Sequence, residues 1–146
     1  MSMLEDEKLL TQKLDELSLI ILKDGKTLLE SKEEGMRPLL VALRRFGRTG
    51  LRGTVIADKV VGKAAALLIS YIDPKTLYCG TLSQSAIDVL RRHRISYHAV
   101  DVVPEILNRS GDERCPFERA VADSEAPVKA YREITMLARS FMSESR

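Results

Sequence analysis

The chain has 146 residues, of which 45% are hydrophobic and 30% charged, and its formal net charge is +2. This length suits one domain with a substantial core, and the composition is that of a globular protein. The small net charge does not require a nucleic acid as partner, and no stretch approaches the roughly 18 consecutive apolar residues of a membrane span. Two cysteines, Cys79 and Cys115, in a chain with no visible export signal indicate reduced thiols and a cytoplasmic location.

The N-terminal part of the chain predicts a helix, a β-hairpin and a second helix. Leucines recur at helical spacing over residues 2–17. Two β-prone runs within residues 18–31 flank Asp24 and Gly25, which is a strong hairpin signal. An amphipathic helix follows, and Gly47 is expected to end it.

The middle of the chain predicts strands that alternate with helices. In order, these elements are a strand at 53–57, a helix that begins near Asp58, a strand at 76–80, a helix at 81–94 and a strand at 95–103. Thr81 and Gln84 have the spacing of a capping box at the start of the second of these helices. Strands joined by helices predict right-handed crossovers and a largely parallel sheet.

Two further helices are predicted near the C-terminus, because Pro116 and Pro127 each stand where a first helical position is expected. The last helix has a predicted buried face made of Val128, Tyr131, Ile134, Ala138 and Phe141. Residues 1–146 are therefore expected to form a single domain with an extra C-terminal helix. The fold class is α/β: a three-layer α/β/α sandwich around a mixed five-stranded sheet, with the N-terminal hairpin at one edge.

Three segments carry a resemblance to a known fold: ADKVVGKAAALL (57–68), CGTLSQSA (79–86) and NRSGDERCPFERAV (108–121). Together with the order of elements, they resemble the cytidine deaminase fold. More narrowly, they resemble a small uncharacterised prokaryotic family that shares this fold. The resemblance covers nearly the whole chain and implies a cytidine deaminase-like architecture, but it brings no established activity.

The zinc motifs of true deaminases are absent from these segments. Zinc deaminases carry H-x-E or C-x-E at the first strand-to-helix joint and P-C-x-x-C at the second. Here the first joint reads Ala57-Asp58-Lys59, and Cys79 at the second has no partner three residues later. Because a charged lysine cannot ligate zinc and here replaces the catalytic glutamate, we expect no metal, no cofactor and no zinc-dependent deamination.

The two strand-to-helix joints are nevertheless the predicted ligand site, since ligands of open α/β sheets bind beyond the carboxyl ends of strands. Lys59 and Lys63 lie one turn apart at the positive end of a predicted helix, where cations are disfavoured. This placement favours an anion site, and a nucleoside- or nucleotide-like, phosphate-bearing ligand fits it. Asp58 is either a functional carboxylate or the N-cap of the helix.

Other polar residues are expected to complete this site. Gly80, Thr81 and Ser83 belong to the second joint, although a turn and a helix cap would account for them equally well. Asn108 and Arg109 could close the pocket, and an arginine supplies a fork for phosphate or carboxylate.

Two alternatives to simple ligand binding stay open at this point. The chain could be an enzyme with Lys59 or Cys115 as nucleophile, since Cys115 precedes a helix start, a position that lowers a thiol pKa. It could also be a non-catalytic regulatory or interaction module with a vestigial pocket. A homo-oligomer is compatible with the sequence.

Overall fold

A computed structural model describes residues 3–106 and 116–144 of the chain. Six helices and five strands lie within these residues. They are α1 Met3–Lys13, β1 Leu19–Lys23, β2 Lys26–Ser31, α2 Arg37–Leu51, β3 Val55–Val61, α3 Lys63–Ile72, β4 Thr76–Ser83, α4 Gln84–Arg92, β5 Tyr97–Val103, α5 Pro116–Ala120 and α6 Pro127–Glu144.

The strands form one mixed sheet in the order β2-β1-β3-β4-β5. Strands β3, β4 and β5 are parallel, whereas β1 is antiparallel to both of its neighbours. The predicted hairpin is confirmed at one edge of the sheet, with Asp24 (φ 50°) and Gly25 (φ 79°) at its turn. Positive φ at both central residues matches the right-handed twist of the two strands, and Asp-Gly tolerates it well.

Side chains from the two faces of the sheet enter two separate hydrophobic clusters. Leu10 and Leu14 of α1 pack on Ile20, Ala57 and Tyr78 on one face. The neighbouring strand residues point the other way, into a larger cluster with α2, α3, α4 and α6; these residues are Ile21, Ile56 and Leu77. The sheet therefore lies between two helical layers of unequal size, because alternation along each strand divides the apolar residues between them.

Helix α3 is the centre of the larger layer and contacts α2, α4 and α6. Its sequence, KAAALLISYI, is apolar almost all round, as expected for a helix surrounded by other elements. On its outer end, the Tyr71 ring stacks on Tyr131 of α6 with centroids 4.9 Å apart. The Arg48 guanidinium lies 4.4 Å from the centre of the Tyr71 ring and donates a 2.6 Å hydrogen bond to the Tyr71 carbonyl oxygen. These contacts join α2, α3 and α6.

Several predicted boundaries are wrong, and the main error concerns the two strand ends. The helix predicted to begin near Asp58 begins at Lys63, because β3 continues to Val61. Likewise β4 continues to Ser83, so Thr81 lies in a strand and caps no helix. The Asp-Lys and Thr-x-x-Gln patterns predict local helix starts, but pairing with neighbouring strands holds both segments extended.

Two smaller differences concern helices. Gly47 was predicted to end α2, but its φ of 69° and ψ of 170° only interrupt the helix, which resumes and ends at Leu51. On α6, Ile134 is buried while Val128 is 46% exposed, so the buried face is shorter than predicted; Phe141 lies outside the residues whose side chains are described. Within the described residues, no helix has the length and apolar character needed to cross a membrane.

The packing of α6 on α3 generates a stability prediction. Ile134→Ala removes a fully buried side chain from the larger cluster and should lower the free energy of unfolding by about 2–5 kcal/mol. Met136→Ala is the matched control on the same helix, since Met136 is 70% exposed, and it should change stability by less than about 0.5 kcal/mol. Urea unfolding measures both values. Equal effects of the two substitutions would contradict the docking of α6 through this face.

Candidate functional site

A cavity of about 420 Å³ lies beyond the middle of β3, between β1, the start of α2, the start of α3 and α5. Its walls are largely apolar and include Leu19, Met36, Leu39 and Phe117. Asp58 supplies a carboxyl group among these apolar residues. Small-molecule sites commonly combine this size and apolar lining with a few polar groups. This cavity is the candidate site.

Asp58 is an acidic residue inside a central strand of the sheet. It stands opposite Leu19 of β1 and Cys79 of β4, and it shares a face with Ile56. Burial raises the pKa of its carboxyl group to about 7, while the nearby backbone N–H groups of Val60 and Lys59 lower it in part. The carboxyl group can therefore accept or release a proton near neutral pH, as a binding or acid–base group requires.

Cys79 packs beside Asp58 as a buried thiol. Burial and the negative charge of Asp58 raise the pKa of Cys79 to about 12. Its Sγ donates a 3.5 Å hydrogen bond to the carbonyl oxygen of His98. Since the thiolate is the nucleophilic form of cysteine, this geometry makes Cys79 an inert packing residue.

Lys59 follows Asp58 on β3, and both residues line the cavity. The Lys59 N–H donates to the carbonyl oxygen of Ser18 at 2.9 Å, and its side chain is exposed. A nucleophilic lysine needs a desolvated amine, so the exposed position of Lys59 gives no support to that role.

The start of α3 already holds a carboxylate of the chain itself. The N–H of Lys63 donates to Oε2 of Glu118, and the N–H of Ala64 donates to Oε1, both at 3.0 Å. The Lys63 ammonium donates a 2.7 Å hydrogen bond to the carbonyl oxygen of Ala122. The lysine that was predicted to meet an external anion therefore fastens α3 to the segment that carries Glu118.

Gly62 is required for this contact. It is the N-cap residue of α3 and has no side chain to cap the helix. A Cβ atom built on Gly62 would lie 2.1 Å from Oε1 of Glu118. The glycine therefore allows Glu118, 56 positions away, to cap the helix in its place.

Among the described residues that line the cavity, none belongs to the second joint predicted from the sequence. Gly80 lies within β4, where a Cβ would be 2.8 Å from the carbonyl oxygen of Lys59, so close strand packing explains this glycine. Thr81 stands opposite Val60 in the sheet. Ser83 is fully buried and caps α4 by accepting a 3.1 Å hydrogen bond from the N–H of Ala86.

Three other predicted site residues, Asn108, Arg109 and Cys115, lie outside the described residues. Within the described part of the chain, no three His, Cys, Asp or Glu side chains lie together as a metal site requires.

Sequence reasoning missed Glu118 as part of the site. A glycine directly before an apolar helix, with no capping side chain, signals that the helix N-terminus needs a distant partner. Which acidic residue supplies that partner depends on how α5 packs, and no local pattern near Gly62 or Glu118 contains that information.

The cap of α3 generates a prediction of coupling. Glu118→Ala removes two hydrogen bonds to the helix N-terminus and should cost about 1–2 kcal/mol. Gly62→Ala should cost a similar amount because its methyl group displaces the same carboxylate. In the double variant the two costs should not add, and urea unfolding of the four proteins measures the coupling.

Ser83→Ala is the matched control, since Ser83 caps a different helix. Its cost of about 1 kcal/mol should add fully to that of Glu118→Ala. Additive effects of Gly62→Ala and Glu118→Ala would contradict the proposed clash.

The ionisation of Asp58 generates a prediction of pH dependence. Because the pKa rises from 3.8 to about 7 on folding, the neutral carboxyl group is the form that the fold favours. Its stabilising contribution is complete below about pH 4 and is lost as the pH rises through 7. The difference in unfolding free energy between the wild type and Asp58→Asn should therefore change by about 1–3 kcal/mol from pH 5 to pH 8, to the disadvantage of the wild type. Urea unfolding at both pH values measures it, and parallel pH profiles would contradict it.

Comparison with known proteins places the chain in a family. The family model described as TM1506, domain of unknown function (DUF1893), matches residues 7–137. The crystal structure of a DUF1893 family protein (TM1506) from Thermotoga maritima is similar, with a TM-score of 0.81 and 28% sequence identity over 91% of this chain and 88% of that chain. A search of proteins with curated functions found no match. The chain belongs to the DUF1893 family.

Proposed function

We propose that this protein binds a nucleoside-like small molecule in the cavity at Asp58. The observation that carries the proposal is the position of Asp58: a carboxyl group with a pKa of about 7, set in a largely apolar cavity of about 420 Å³. A structural core rarely keeps such a group, because burying a carboxyl group is costly unless it gains partners. A ligand with N–H donors would supply them.

The cavity suits a flat ring system attached to a more polar group. Leu19, Leu39 and Phe117 offer apolar contact surface, and the carboxyl group can receive hydrogen bonds from ring or exocyclic nitrogens. A volume of about 420 Å³ lies within the range of small-molecule sites.

A finer fold assignment supports the same ligand class. We propose that the fold is cytidine deaminase-like. The helix and hairpin at the start of the element order support this assignment, as do the two parallel strands β3 and β4 that are each followed by a helix. This is a likeness of fold, and the proposal for the ligand depends on the Asp58 site itself.

The phosphate part of the expected ligand has less support than the nucleoside part. The first N–H groups of α3 donate to Glu118, and Lys63 donates to Ala122. A ligand phosphate at that helix would have to displace Glu118. We therefore propose that the base and sugar, and not a phosphate, provide the main contacts.

Titration calorimetry with adenosine, guanosine, cytidine and uridine, and with their monophosphates, tests the proposal. At least one nucleoside should bind, and its monophosphate should bind no more tightly. Asp58→Asn should weaken binding about 10- to 100-fold, because a hydrogen bond to a charged group contributes about 1.5–3 kcal/mol.

Lys26→Met is the control, since Lys26 is an exposed residue of β2 outside the described lining of the cavity, and its loss should leave nucleoside affinity unchanged. The proposal is wrong if no nucleoside binds, or if Asp58→Asn binds the nucleosides as tightly as the wild type does.

A further inference from the structure

We infer that the cavity selects ligands that carry a positively charged nitrogen with N–H donors, and that this nitrogen binds the Asp58 carboxylate. The inference rests on the proposed function only in taking the same cavity as a small-molecule site, and it does not require the ligand to be a nucleoside. It starts from the charges around the cavity. The described lining residues include four carboxylates and one lysine; they are Glu33, Glu34, Asp58, Glu118 and Lys59.

Two of the other carboxylates already have compensating partners. Glu33 pairs with Arg37 at 3.3 Å on the exposed side of the cavity. Glu118 accepts two N–H groups at the positive end of α3, with the Lys63 ammonium bonded to the same C-terminal segment. Glu34 is exposed, so water solvates it. These three groups need nothing from a ligand.

The negative charge of the Asp58 carboxyl group is compensated differently. The backbone N–H groups of Val60 and Lys59 lower its pKa in part, and no cation of the described chain opposes the burial that raises this pKa. The Lys59 side chain is exposed, and the neighbour of Asp58 on β4 is the un-ionised Cys79. The Asp58 face of the cavity thus holds a carboxyl group without a counter-ion among the described residues.

A cationic ligand shifts the protonation equilibrium of the Asp58 carboxyl group. A charged nitrogen within hydrogen-bonding distance favours the ionised form of the carboxyl group and forms a charge-assisted hydrogen bond in a largely apolar cavity. An anionic group at the same place would meet the repulsion of the Asp58 carboxylate. Amines, amidines and guanidines on an apolar body are therefore the chemical class that fits best.

Three small probes of nearly equal shape test the inference: benzamidine, benzamide and benzoate. Benzamidine stays cationic between pH 6 and 8, benzamide is neutral and benzoate is anionic. At pH 8, benzamidine should bind the wild type at least tenfold more tightly than benzamide, and benzoate should bind most weakly. The affinity of benzamidine should fall about tenfold from pH 8 to pH 6, because the ionised fraction of the Asp58 carboxyl group, with a pKa of about 7, falls by that factor.

Two variants separate Asp58 from the general acidity of the cavity. Asp58→Asn, which keeps the shape of the side chain, should remove both the preference for benzamidine and its pH dependence. Glu34→Gln removes an exposed lining carboxylate and should leave both unchanged. Urea unfolding of each variant confirms that it is folded under the conditions of the titration.

The outcomes distinguish this inference from the proposed function. If nucleosides bind but benzamidine shows no advantage over benzamide, or keeps its advantage in Asp58→Asn, the inference is overturned and the proposed function stands. If benzamidine is preferred through Asp58 but no nucleoside binds, the inference stands and the nucleoside proposal fails. If none of these compounds binds, both are overturned.

Discussion

The contact between the Glu118 carboxylate and the first N–H groups of α3 is the interaction on which the site depends. Helix α3 is central to the larger layer, and its N-terminus has no capping side chain of its own. Glu118 supplies that cap from α5, and Phe117 beside it forms part of the cavity wall. One pair of hydrogen bonds thus stabilises a central helix and closes one side of the candidate site.

The same contact decides the electrostatics of the cavity. The positive end of a helix favours an anion, and here Glu118 is that anion. The positive end of the α3 dipole is therefore largely compensated by a carboxylate of the chain itself. Asp58, one strand position from the exposed Lys59, remains as a half-buried acid whose pKa lies near neutrality. The sequence predicted an anion site here, whereas the described lining of the cavity carries four carboxylates and one lysine.

Most of the fold could be predicted from local sequence patterns. Asp24 and Gly25 defined the hairpin, Pro116 and Pro127 marked two helix starts, and Gly47 marked a break in α2, although the helix resumes after it. In each case the residue acts on its own backbone, because glycine tolerates positive φ and proline fixes φ and lacks a backbone N–H, so the effect does not depend on distant partners. The mixed sheet with a hairpin at its edge follows from the order of these elements.

The candidate site was harder to predict from the sequence, because its residues act through partners far away in the chain. Asp58 and Thr81 have side chains that commonly cap helices, yet strand pairing extends β3 and β4 past them and leaves neither at a helix start. Lys59 and Lys63 have helical spacing in the sequence, but Lys59 lies in a strand and Lys63 begins the helix.

The sequence by itself therefore determined the order of the elements, the hairpin and the identity of the chemical groups near the middle of β3. Local backbone preferences and apolar periodicity carry that information. Only the tertiary structure decided which of those groups share a face, and it did so by bringing Glu118 to Gly62 across 56 positions and by aligning Asp58 between Leu19 and Cys79. The physical reason is that strand register and helix capping by a distant residue are set by packing between elements, which no short stretch of sequence encodes.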